Sequence, residues 1–154
     1  MHMRTFLALG CFVISLLLVG GAWAFSGAKR STTLNGAEEC NASGVCNQGD
    51  LDGSGLARIT LNAGQATVCW ELTVRDIMPA TAAHIHKAPA GVPGPIVVPL
   101  SPPTSGSSSG CTPADPTLIA DIIENSEAYY VNVHTSDFPG GAVRGQLSNR
   151  GQFD

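Results

Sequence analysis

Basic side chains are scarce in this sequence: 154 residues carry eight Lys and Arg against twelve Asp and Glu, a formal net charge of −4. No basic run occurs anywhere, which argues against nucleic acid as a partner, because phosphate binding draws on clustered Lys and Arg. There is no G-x-S-x-G sequence or other nucleophile–base arrangement that suggests hydrolysis. No glycine-rich loop lies between a strand and a helix to cradle a nucleotide. No internal repeat is visible. A long apolar run occurs once, from Phe6 to Val19.

That run follows Arg4 and precedes Ala22-Trp23-Ala24, small residues at the two positions a signal peptidase reads. It is shorter than the ~20 residues of a membrane span, and no basic cluster follows it to stop transfer. An uncleaved N-terminal anchor is the alternative. A lipoprotein signal at Leu9-Gly10-Cys11 fails because too few apolar residues precede Cys11. Residues 1–24 are read as a cleavable signal peptide whose contact with the membrane is transient. The mature chain is then secreted or otherwise extracytoplasmic, with seven basic against twelve acidic side chains and a net charge of about −5.

Cysteine usage agrees with export. Cys11 leaves with the leader, so Cys40, Cys46, Cys69 and Cys111 remain, and four thiols allow three pairings. Pairing Cys40 with Cys46 closes a tight polar loop. Cys69 with Cys111 then ties an early strand to the segment before the helix. A four-thiolate zinc site is the rival, weakened by the absence of closely spaced pairs.

Residues 25–49 are rich in Ser, Thr, Asn and Gly without periodicity and read as a flexible N-terminal arm before a domain at 50–150. From Leu56 to Leu61 apolar and polar residues alternate, Asn62 to Gln65 supplies turn chemistry, and Ala66 to Val74 alternates again, which predicts a β-hairpin with Trp70 in the core. Further strands are predicted at Ala82 to Lys87, Ile96 to Leu100, Tyr129 to Thr135 and Ala142 to Leu147. Ser101 to Gly110 reads as an exposed, mobile loop. Asp115 and Pro116 have N-cap and N1 chemistry for one short helix ending near Asn125, with Leu118, Ile119, Ile122 and Ile123 on one face. Asp50 to Gly55 lacks the later acidic ligand of a calcium loop and reads as a turn. Asn41-Ala42-Ser43 is a glycosylation acceptor only in a eukaryotic source. The pattern predicts an all-β sandwich or partly closed barrel.

Thr81 to Lys87 (TAAHIHK), Ala90 to Leu100 (AGVPGPIVVPL), Tyr129 to Thr135 (YYVNVHT), Asp137 to Gly141 (DFPGG) and Arg144 to Leu147 (RGQL) together resemble the signatures of CHRD (chordin-type) domains, in the family's order. The resemblance spans roughly residues 50 to 148. It implies an extracellular all-β domain with a Greek-key topology similar to that of copper–zinc superoxide dismutases. The surroundings of Cys69 and Cys111 resemble those of microbial members with one bridge. Chordin itself is a secreted binder of growth factors; that activity does not carry over to a lone domain without chordin's cysteine-rich modules.

His84 and His86 are two apart on a predicted strand, so both imidazoles point to one face and Ala83 and Ile85 to the other. On Tyr129 to Thr135, His134 shares a face with Asn132 and Tyr130. If the strands are neighbours, three imidazoles converge, a donor set that suits copper or zinc. An H-x-H pair plus a third histidine also begins the dismutase copper site, but no fourth histidine ligand and no separate zinc loop are present. An H-x-H pair on a polar strand face is also commonly a plain surface feature. Arg144 either guides an anion or forms a structural ion pair with Asp137 or Asp76. Three functions follow: an exported binding domain with a three-histidine copper or zinc site at His84, His86 and His134; a metal-free extracellular adhesion or protein-binding module; and a copper-dependent, dismutase-like redox enzyme.

Overall fold

The computed structural model describes residues 27–148; the leader predicted at 1–24 lies outside them. Eight antiparallel strands form one sheet: β1 (Ala28–Asn35), β2 (Ser54–Asn62), β3 (Thr67–Arg75), β4 (Ala82–Lys87), β5 (Ile96–Leu100), β6 (Ser107–Pro113), β7 (Tyr129–His134) and β8 (Val143–Gln146). Among the described residues a single α-helix, α1 (Pro116–Glu124), lies between β6 and β7. The sheet runs β5-β4-β7-β8-β1-β2-β3-β6 and curls into a nearly closed barrel with its seam between β5 and β6. Counted across that seam, β4 to β7 follow a Greek-key order, β7 returning to lie beside β4.

The alternation seen in the sequence becomes the core. Ile59, Leu61, Val68, Leu72, Ile85, Val131 and Val133 face inward, and Ile119 and Ile122 of α1 close one side. Asp115 Oδ1 accepts the Thr117 backbone N–H at 2.7 Å, the cap expected of it. The Asn62 carboxamide oxygen accepts the Gln65 N–H at 2.9 Å, so the β2–β3 hairpin forms where turn residues were seen.

Two expectations are corrected. Part of the segment read as a flexible arm, 25–49, is β1, which lies between β2 and β8. Its sequence AKRSTTLN hides the strand because only Leu34 is a large apolar residue, while the buried Ser31 and Thr32 are polar. Pairing to β2 along its full length supplies what its side chains do not. Arg30 adds an anchor, donating from Nη2 to the Ile123 carbonyl at 2.6 Å in the last turn of α1. β1 can lie against β8 because residue 145 is glycine: a Cβ there would stand 2.0 Å from the Thr33 carbonyl oxygen.

The second correction concerns Ser101 to Gly110, read as a mobile loop. Its latter part opens β6, paired to β3 with Cys69 and Cys111 directly opposite each other. Gly110 meets Trp70 in that register, where a Cβ would come within 2.7 Å of the indole ring. Serine and glycine weaken the strand signal, and packing under the tryptophan requires one of them. Disulfides join Cys69 to Cys111 and Cys40 to Cys46, which excludes the four-thiolate zinc site. Among the described residues no helix is long and apolar enough to cross a membrane.

Candidate metal centre

β4, β7 and β8 are adjacent, and their register sets two rows of outward-facing side chains: His84–Asn132–Arg144 and His86–Tyr130–Gln146. His134 stands next to Asn132 on the same face, opposite Ala82. Ala83, Ile85, Val131 and Val133 are fully buried on the opposite, core face. Pleat alone therefore gathers the three histidines on the outside of the sheet. Three segments reach this face: Glu39 acts on Asn132 and Arg144, Gly94 bonds His86, and Pro139 in the turn after β7 bonds His134.

The candidate ligand nitrogens of His84, His86 and His134 all lie within 4.8 Å of one another. His84 Nδ1 and His134 Nε2 are 3.1 Å apart. Two nitrogens bound to a tetrahedral zinc at ~2.0–2.1 Å stand roughly 3.3–3.4 Å from each other, so this pair is already at coordination spacing. A pair at the 4.8 Å limit needs a side-chain movement of roughly 1.4 Å to match that spacing.

Backbone carbonyls set two of the tautomers. His86 Nδ1–H donates to the Gly94 oxygen at 2.8 Å, and His134 Nδ1–H donates to the Pro139 oxygen at 3.0 Å. Both rings then turn Nε2 inward, as outer hydrogen bonds orient metal-ligating imidazoles; the His134 Nε2 lone pair accepts the His84 Nδ1–H at 3.1 Å, a proton that a bound cation would displace. Burial lowers the basicity of all three rings. His84 falls to about 4, through burial and then the neighbouring imidazoles of His134 and His86. Neutral rings are the form that binds a cation.

Tyr130 stacks on His86 with centroids 4.8 Å apart and planes 9° from parallel, and its hydroxyl accepts the Gly94 N–H at 3.1 Å. The Arg144 guanidinium lies 3.4 Å over the Tyr130 ring and donates to the Pro89 oxygen at 3.0 Å. Arginine, tyrosine and histidine thus form a column that holds His86 in place. Arg144 is 1% exposed and forms no ion pair with Asp76 or Asp137. The expected structural pairing is corrected: the carboxyls whose charge acts on Arg144 are Glu39 and, more weakly, Glu38.

Glu39 escaped the sequence reading, because Glu38 and Glu39 sit in a stretch that looked like linker. Docking of residues 36–50 on β8, with the Asp50 N–H bonded to the Ala142 oxygen at 2.8 Å, brings it to the site. Burial pushes Glu39 up to about 7, while Arg144 and Asn132 oppose the rise. Its Oε1 occupies space that Gly141 leaves open: a Cβ at 141 would stand 2.2 Å from that oxygen.

Fold and site together define a disulfide-braced, antiparallel β-barrel domain with a histidine cluster on one outer face. The family model of the CHRD domain matches residues 30–147, and the chain belongs to the CHRD domain family. The match begins inside β1, which makes that strand part of the domain. No curated protein and no solved structure matches the chain significantly.

Proposed function

We propose that this CHRD domain is exported and binds a single copper or zinc ion through His84, His86 and His134, serving metal capture or handling outside the cytoplasm. The observation that carries this reading is His86 Nε2. It is buried, its tautomer is set by Gly94, and it has no hydrogen-bond partner while it faces two further imidazoles. A buried polar atom without a partner costs about 1–3 kcal/mol, and a bound cation removes that cost. The two disulfides fit an oxidising compartment.

The test is dialysis of the purified protein against copper or zinc. Retention of about one equivalent supports the centre, four tetrahedral positions being met in part by three imidazoles. Equal retention by a His84→Ala/His86→Ala variant overturns it. A metal-free protein that binds a cell-surface partner in a concentration-dependent way favours the adhesion module instead. Dismutase turnover by the copper-loaded form favours the redox enzyme.

A further inference from the structure

The surroundings of Asn132 extend the three-histidine reading by one atom, and the inference rests on that reading. Asn132 is 2% exposed and lies on β7 directly opposite His84 on one side and Arg144 on the other. Directly opposed residues in an antiparallel pair have Cβ atoms ~4.5–5.5 Å apart, so the carboxamide stands within the histidine face. It interacts with both His86 and Glu39. Yet neither Asn132 Oδ1 nor His86 Nε2 makes a hydrogen bond.

Both of these atoms are acceptors. Neutral His86 uses its one N–H on the Gly94 carbonyl, which leaves a lone pair on Nε2, and an amide oxygen has no proton to give. Two neighbouring buried lone pairs without a donor between them repel each other, and a cation between them turns that repulsion into attraction. Turning the carboxamide over gives His86 a donor but sets Oδ1 against Glu39, an arrangement satisfied only while that carboxyl is protonated.

We propose that Asn132 Oδ1 is the fourth donor of the metal centre, completing a three-nitrogen, one-oxygen set with His84, His86 and His134, and that Glu39 keeps the carboxamide turned toward the ion. An amide oxygen is a hard, neutral donor. It favours the divalent ions zinc(II) and copper(II) over copper(I), which prefers softer ligands. Four protein donors also close the tetrahedron, the mark of sites that hold a metal; sites that react on one keep a position open.

Zinc alone, in competition with a chelator, and the spectrum of the copper(II) form test the assignment. Asn132→Ala weakens zinc binding by roughly 10-fold or more, as loss of an orienting or ligating partner does, and shifts the copper(II) spectrum. Asn132→Asp keeps the oxygen, adds charge and binds zinc more tightly than the parent chain. Unchanged affinity and a superimposable copper(II) spectrum in Asn132→Ala overturn the fourth donor and leave the three-histidine centre standing. If Asn132→Ala fails to unfold cooperatively, the near-isosteric Asn132→Asp decides, and equal or weaker zinc binding overturns the proposal. A parent chain that takes up neither ion overturns the histidine centre and the fourth donor together.

Discussion

Replacing Glu39 by glutamine isolates the cost of holding a carboxylate in the wall of the site. Glu39 is 4% exposed, its Oε1 has no partner, and burial raises its pKa from an ordinary 4.5 to about 7. A group whose folded pKa exceeds its unfolded pKa contributes stability that is complete below the unfolded value and is lost as pH rises through the folded one. Here that window runs from about 4.5 to about 7. The raise of about 2.5 units corresponds to about 3 kcal/mol of preference for the protonated form. The pull of Arg144 and Asn132 in the other direction is already contained in that net raise. Glutamine is neutral at every pH and nearly isosteric. Glu39→Gln therefore matches the parent in stability near pH 4 and exceeds it by up to about 3 kcal/mol near pH 8. For a folded unit of about 120 residues this is a rise in Tm of roughly 10 °C. Urea unfolding of both proteins at several pH values reads the difference, and the other titrating groups cancel in the comparison. A stability difference that does not change between pH 4 and pH 8 refutes the reasoning.

Zinc at 100 times its Kd adds about 2.7 kcal/mol, hence a Tm rise of roughly 10 °C, and His84→Ala/His86→Ala abolishes it in a thermal melt. In the metal-free protein the depressed His84 acts with opposite sign to Glu39: the unfolded chain protonates near 6.5 and the folded one near 4, so its contribution is lost as pH falls through that window, and Glu39→Gln unfolded at decreasing pH exposes the loss. Gly141→Ala destabilises by about 2 kcal/mol or more in urea, because its Cβ would stand 2.2 Å from Glu39 Oε1 and its φ of 139° disfavours any side chain. Removing the Cys69–Cys111 bridge, with its sequence separation of 42, costs roughly 4 kcal/mol by loop entropy, against roughly 2 kcal/mol for the Cys40–Cys46 bridge with its separation of 6; paired Cys→Ala variants compared by denaturant titration check the order.

The strands that bury large alternating side chains were legible in advance. β2, β3, β4, β5, β7 and β8 lie within a residue or two of their expected positions, and the cap at Asp115 places α1. β1 and β6 were not legible. One is polar, the other Ser/Gly-rich, and each owes its conformation to neighbours: β2 and β8 for the first, β3 with the bridge and Trp70 for the second. Non-local pairing of this kind leaves no periodic mark in the chain, because the stabilising partner lies tens of residues away.

The candidate site divides along the same line. That His84 and His86 share a face follows from pleat, a two-residue period that any strand imposes. Their meeting with His134 depends on β4 lying beside β7 in one register, and a slip of one residue would send that imidazole into the core. The carbonyls of Gly94 and Pro139, the Arg144–Tyr130–His86 column and the buried Glu39 are products of loops folding back over the sheet. Local chemistry written in the chain thus decided which residues can coordinate and which face they occupy. Only the tertiary structure decided that they converge, which tautomers they hold and how dry their surroundings are, because register, burial and loop docking are set by contacts between segments far apart in the sequence.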